Sequence, residues 1–65
     1  MNALPKRQQN RLERETRVLD AALRTFAERG YSGTSMDDVA AAAGLTKPTL
    51  YQYFPSKEQL FTAML

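Results

Sequence analysis

The sequence predicts an all-α fold, a small helical bundle of three helices plus the start of a fourth. Three observations carry that prediction. Apolar residues recur at three- and four-residue steps between Val18 and Ala27, the period of a helix that buries one face. Start signals precede the later segments: Ser35 with Asp38, Thr46 ahead of Pro48, and Ser56 with Gln59. Gly30, Gly44 and Pro55 supply the matching stops.

Composition bounds what such a bundle can do. Sixty-five residues make one small domain, which buries only about 60% of its unfolded surface, so its core is marginal. With no Cys and no His, disulfides, thiolate metal sites, thiol nucleophiles and the commonest acid–base group are all excluded. No nucleophile–base pair, metal cluster or Gly-rich phosphate loop is visible. No catalytic or metal-ligating residue is assigned, and no cofactor is expected. Nine Lys and Arg against seven Asp and Glu give a net charge of +2, too small to argue for nucleic acid alone. Its distribution says more, because Lys6, Arg7, Arg11, Arg14 and Arg17 face only Glu13 and Glu15 within residues 6–17. The chain has no apolar leader and no long apolar run, so neither a signal peptide nor a membrane partner is expected. The absence of Cys fits a reducing compartment, so a cytoplasmic location is expected, nucleoid-associated if the chain binds DNA.

Residues 1–13 are expected to form a flexible basic arm, polar and without periodicity, ahead of a domain spanning residues 14–65. Lys6, Arg7 and Arg11 would reach DNA phosphates or a minor groove, as basic arms do, or form a solvated tail. From Arg11 or Arg14 to Arg29, Val18, Leu19, Ala22, Leu23, Phe26 and Ala27 predict an amphipathic first helix. Glu13 with Arg17 and Asp20 with Arg24 are i,i+4 pairs on its solvated side. Gly30 closes it, with Tyr31 folding back onto Phe26. A loop over residues 32–34 leads to a capping box, Ser35 and Asp38, and a second helix over Met36–Ala43. Asp37 and Asp38 serve the helix dipole there, for no third ligand accompanies them.

Gly44 then supplies a left-handed residue, the chain turns through Leu45, and Thr46 caps a third helix in whose first turn Pro48 is tolerated. A new helix starting within three residues of the old one is a helix-turn-helix, whose second helix can enter a DNA major groove. Val39, Ala43, Leu45 and Leu50 are placed inward, and small Ala40 lies where the helices must approach closely. On a third helix over Lys47–Phe54, Leu50 and Phe54 share one face. Pro48 and Gln52 project oppositely, flanked by Thr49 and Tyr51. Pro55 ends it, and Leu60, Phe61, Met64 and Leu65 begin a fourth helix that the sequence cuts off.

Ala21-Ala22-Leu23, Phe26-Ala27-Glu28-Arg29-Gly30-Tyr31, Thr34-Ser35, Val39-Ala40, Ala43-Gly44-Leu45 and, above all, Thr49-Leu50-Tyr51-Gln52-Tyr53-Phe54-Pro55-Ser56-Lys57 resemble the N-terminal domain of the TetR family of transcriptional repressors. The resemblance covers about residues 17–65. It implies a homeodomain-like helix-turn-helix that binds double-stranded DNA at a palindromic operator. It also implies a further all-helical domain, absent from this chain, that dimerises and takes a small-molecule effector. At the start of the second helix the resemblance places the Thr34 and Ser35 hydroxyls on phosphate. On the third helix, Pro48, Thr49 and Gln52 are expected at base edges and Tyr51 and Tyr53 on phosphates, joined there by Lys57 beyond it. Thr46 and Lys47 lie at the groove entrance and serve either. Gln52 is the first choice for direct readout, since its amide pairs bidentately with adenine. The competing reading is a small helical protein-interaction module without DNA binding.

Overall fold

A computed structural model describes residues 5–65, which form four α-helices and no strand. Helix α1 runs over Lys6–Arg29. The segment contains neither Gly nor Pro, and Pro5, at φ −54°, sets the direction in which it starts. Lys6–Glu13, expected in a flexible arm, is therefore helical. Its Lys, Arg, Gln, Leu and Glu are good helix formers, and Arg11 pairs with Glu15 at 3.3 Å. The first four residues of the expected arm lie outside the described residues.

The buried stripe of α1 is Val18, Ala21, Ala22 and Thr25, at i, i+3, i+4 and i+7. This corrects part of the expected stripe. Leu23 is 59% exposed and Ala27 is exposed, because at 100° per residue both point well away from Val18. Small residues take the centre instead. Ala21 and Ala22 share one core with Val39, Ala40 and Ala43 of α2 (Met36–Ala43), so the two helices approach closely.

The link between them is tightly specified. Gly30 ends α1 at φ 77°, ψ 164°, a region essentially reserved for glycine. A Cβ at Gly33 would collide with the Arg29 carbonyl oxygen, so only glycine fits there without a shift. Tyr31 folds onto Phe26 as expected, ring centroids 5.5 Å apart, and Phe61 completes an aromatic trio at 6.1 and 5.3 Å. Helix α2 opens on the expected capping box: the Asp38 N–H donates to the Ser35 hydroxyl at 3.1 Å, and the Ser35 N–H to the Asp38 carboxylate at 3.0 Å.

Gly44 is left-handed, at φ 73°, ψ 29°. The Leu45 N–H donates to the Ala40 carbonyl at 2.9 Å and the Gly44 N–H to that of Ala41 at 3.2 Å, the paired bonds of a Schellman turn. Helix α3 follows over Lys47–Tyr53, with Pro48 in its first turn. Phe54, expected inside it, is its extended cap at φ −139°, ψ 105°, because the ring of Pro55 disfavours helical angles at the residue before it and supplies no N–H to continue the helix. Helix α4, Lys57–Met64, is capped by Ser56, whose hydroxyl accepts from the Gln59 N–H at 3.1 Å.

Leu50 of α3 and Leu60 of α4 are the largest fully buried side chains, each contributing about 1.5–3 kcal/mol by burial. Leu50 is the one fully buried residue of α3. That helix is pinned at a single point, with Leu45 and Phe54 packed beside the core at its two ends. The rest of its circumference faces outward.

Candidate nucleic-acid interface

Helix α3 and the turn before it bring most of the expected residues together. Thr46, Lys47, Pro48, Tyr51 and Gln52 are exposed, and Thr49 is half-buried. Thr46 caps the helix by accepting from the Thr49 N–H at 3.4 Å, and its own hydroxyl donates to that of Thr49 at 2.9 Å. That chain of bonds leaves the Thr49 proton free to donate outward. The Gln52 amide has no hydrogen-bond partner among the described residues. It keeps two donors and an acceptor for a partner outside the fold.

Lys47 is joined across the turn to Asp37, its ammonium 3.3 Å from the carboxylate, with both side chains about half or more exposed. A pair this exposed is worth under about 1 kcal/mol, so a stronger anion can replace the carboxylate. Tyr53 is half-buried and its hydroxyl points toward α1. The Arg11 guanidinium lies 4.8 Å from its ring centroid, and Arg14 Nη1 donates to its hydroxyl at the long distance of 3.5 Å. The phenolic proton is left free for an acceptor.

Two residues are placed differently from the sequence expectation. Thr34 is only 2% exposed, and its hydroxyl donates to the Gly30 carbonyl at 2.8 Å, with the Thr25 carbonyl 3.3 Å away. A buried hydroxyl must find such a partner or lose its solvation without return. Thr34 thus fixes the loop rather than standing on the outer surface. Ser35 beside it is exposed and, having accepted from Asp38, still has a proton to donate. Lys57 is not a free cation: its ammonium donates to the Tyr31 carbonyl at 2.8 Å and lies 4.3 Å from the centre of that ring. This offsets the cost of a cation at the positive end of α4. Two of its three donors remain.

Asp38 carries a pKa below its ordinary value. The Ser35 backbone N–H is the main cause and its hydroxyl the next; Arg29, 3.4 Å away, adds a smaller attraction. The carboxylate is committed to the α2 cap. Among the described residues no acidic cluster can hold a metal ion, and no helix is long and apolar enough to cross a membrane.

Sequence reasoning missed Asp37 as the partner of Lys47 and Arg14 as the partner of Tyr53. The Arg7, Arg11, Arg14 spacing was a usable signal for the latter. The Asp37–Lys47 pair spans a change of helix, so no spacing rule foretells it.

Residues 18–64 match the family model of bacterial regulatory proteins of the tetR family. The chain is 47% identical over 62 residues to the HTH-type transcriptional activator FasR of Mycolicibacterium smegmatis, covering 91% of this chain and 28% of that protein. It is 48% identical over 48 residues to the HTH-type transcriptional regulator RutR of Escherichia coli K12, covering 74% and 23%. It is 40% identical over 57 residues to the HTH-type transcriptional regulator AcrR of Shigella flexneri, covering 88% and 26%. The chain thus spans less than a third of the length of these relatives.

Proposed function

The chain belongs to the bacterial regulatory proteins of the tetR family, and on that premise we propose that it is a sequence-specific DNA-binding head with α3 as its major-groove helix. The observation that carries this reading is the single-point anchoring of α3. Leu50 alone is fully buried, so Pro48, Tyr51 and Gln52 are all presented outward from one short rod. A helix narrow enough for the major groove, carrying an amide, hydroxyls and a ring, has the chemistry of base and phosphate contact.

In this reading Pro48, Thr49 and Gln52 meet base edges, while Tyr51, Tyr53, Lys57 and Ser35 hold phosphates that fix the register. Thr46 and Lys47 enter at the groove mouth, and Lys47 exchanges Asp37 for a phosphate as it does so. Thr34 acts through the loop, holding Ser35 and the start of α2 in place. The whole regulator is a dimer on a palindromic operator, in the cytoplasm at the nucleoid. A further domain takes a small effector that favours a head spacing mismatched to DNA. A bound head has no sign of its own. Since one relative is named an activator, the repressor role rests on resemblance and is tested at a promoter.

Gln52 gives the sharpest test of α3 as the reading element. Selection from random duplexes with the wild-type chain and with Gln52→Ala should return a relaxed preference at one base pair. The expected loss is about 1–3 kcal/mol of discrimination there, with little change on unrelated sequences. Equal weakening on every sequence would remove Gln52 from base readout. Binding that ignores salt would favour a protein partner for this face instead.

A further inference from the structure

The first half of α1 needs a reason to be there. Residues 6–17 have no buried side chain, since the core begins at Val18. A helical stretch of that length is marginal without packing. Its N-terminus is also unfavourable: no side chain caps it, no acidic residue lies in its first turn, and Lys6 and Arg7 stand at the positive end of the dipole. What this stretch touches is Tyr53 of α3, through the stacked Arg11 guanidinium and the Arg14 hydrogen bond.

Arg7, Arg11 and Arg14 fall at steps of four and three, on one face of the helix. Together with Gln8, Asn10 and Tyr53 they line an open cleft of about 360 Å³. Arg11 shares its charge with Glu15 at 3.3 Å. Arg7 and Arg14 have no carboxylate within 4.0 Å among the described residues. The cleft therefore has three planar donor groups, a phenol and one carboxylate at its edge, next to the residue that follows Gln52.

We propose that this cleft is a clamp for the DNA backbone: Arg7, Arg11, Arg14 and the Tyr53 hydroxyl hold phosphate just outside the stretch that α3 reads. It rests on the DNA-binding reading and extends it. Arg7, Arg11 and Arg14 lie ahead of the residues 18–64 that match the family, so the contact is additional to that shared unit. Phosphate suits the cleft. Guanidinium forks bind it bidentately, and an anion there neutralises the unpaired arginines. Tyr53 is the positioning residue, its ring holding the Arg11 fork toward the groove edge.

The test is fluorescence anisotropy of a mixed-sequence duplex between about 50 and 200 mM salt. It compares the wild-type chain, Arg7→Gln/Arg14→Gln, and Arg24→Gln, which removes a charge paired with Asp20 elsewhere on α1. Glutamine keeps helix propensity, and circular dichroism checks that α1 persists. The double variant should lower the slope of log affinity against log salt by about two and weaken low-salt binding at least about tenfold. Arg24→Gln should change the slope little. A double variant with the wild-type slope overturns the clamp while leaving α3 as the reading helix. A wild-type chain that shows no salt-dependent binding overturns both.

Discussion

Lys57 carries two demands on one ammonium. It straps the first turn of α4 to the Tyr31 carbonyl and still offers two donors outward. If both roles operate, Lys57→Gln lowers stability by about 1 kcal/mol, the scale of an exposed cation–π contact, since the glutamine amide can still donate to the carbonyl. It also flattens the salt slope of DNA binding by about one. Thermal melts and salt titrations separate the two: a destabilised variant with an unchanged slope would leave Lys57 a strap alone. The oddity of a lysine at that helix start was legible in the sequence, but its partner was not. Tyr31 lies 26 residues away, and only the folded loop aims its carbonyl at α4. The inward placement of the Thr34 hydroxyl was not legible for the same reason. Its type suits a helix start, yet whether the hydroxyl faces inward depends on Gly30 and Gly33 bending the loop beneath it.

At the scale of elements, local chemistry decided most boundaries. Ser35 with Asp38, Gly44, Thr46 and Pro55 each act over three or four residues, so α2 and the helix-turn-helix turn could be placed from sequence alone. The end of α3 missed by one residue because the effect of Pro55 on Phe54 was not carried through. The start of α1 missed by more, since polar residues without periodicity look like a tail even when each favours helix. The cap of α2 also sets a pH response. The folded-state pKa of Asp38 lies below its ordinary value, so the stability it contributes is present above about pH 4 and is lost as pH falls through the lower folded value. Melting wild-type and Asp38→Asn chains from neutral pH down to about pH 2.5 should show the wild-type advantage shrinking below about pH 4. An advantage constant across that range would remove the carboxylate from the cap's energetics.

Taken whole, the molecule is a long first helix with a compact turn of three short ones against its C-terminal half, 42 × 24 × 16 Å in extent. Core residues are mostly small, and the fold gains from this: Ala21, Ala22, Ala40 and Ala43 let α1 and α2 close up, so that one leucine suffices to seat α3. Composition and periodicity foretold the bundle and the outward side of α3. They could not foretell that the basic half of α1 continues as helix and meets Tyr53, because that contact joins residues 39 apart. With only Lys47 charged between Val39 and Pro55, α3 supplies little general attraction to DNA. In the proposed reading, the basic stretch of α1 and the pairing of two heads supply much of the affinity.

The central claim, that α3 and its flanks form a DNA-binding face, is tested most directly by titrating the isotope-labelled chain with a mixed-sequence duplex at low and moderate salt, following each backbone amide by NMR. Salt-sensitive shifts are expected at Ser35, Thr46–Tyr53 and Lys57, and along Arg7–Arg14 where the clamp operates, with Leu60 and the α1–α2 core unmoved. Amides of α3 that stay still with duplex in excess at low salt, for this chain and for two copies linked as a dimer, would contradict it.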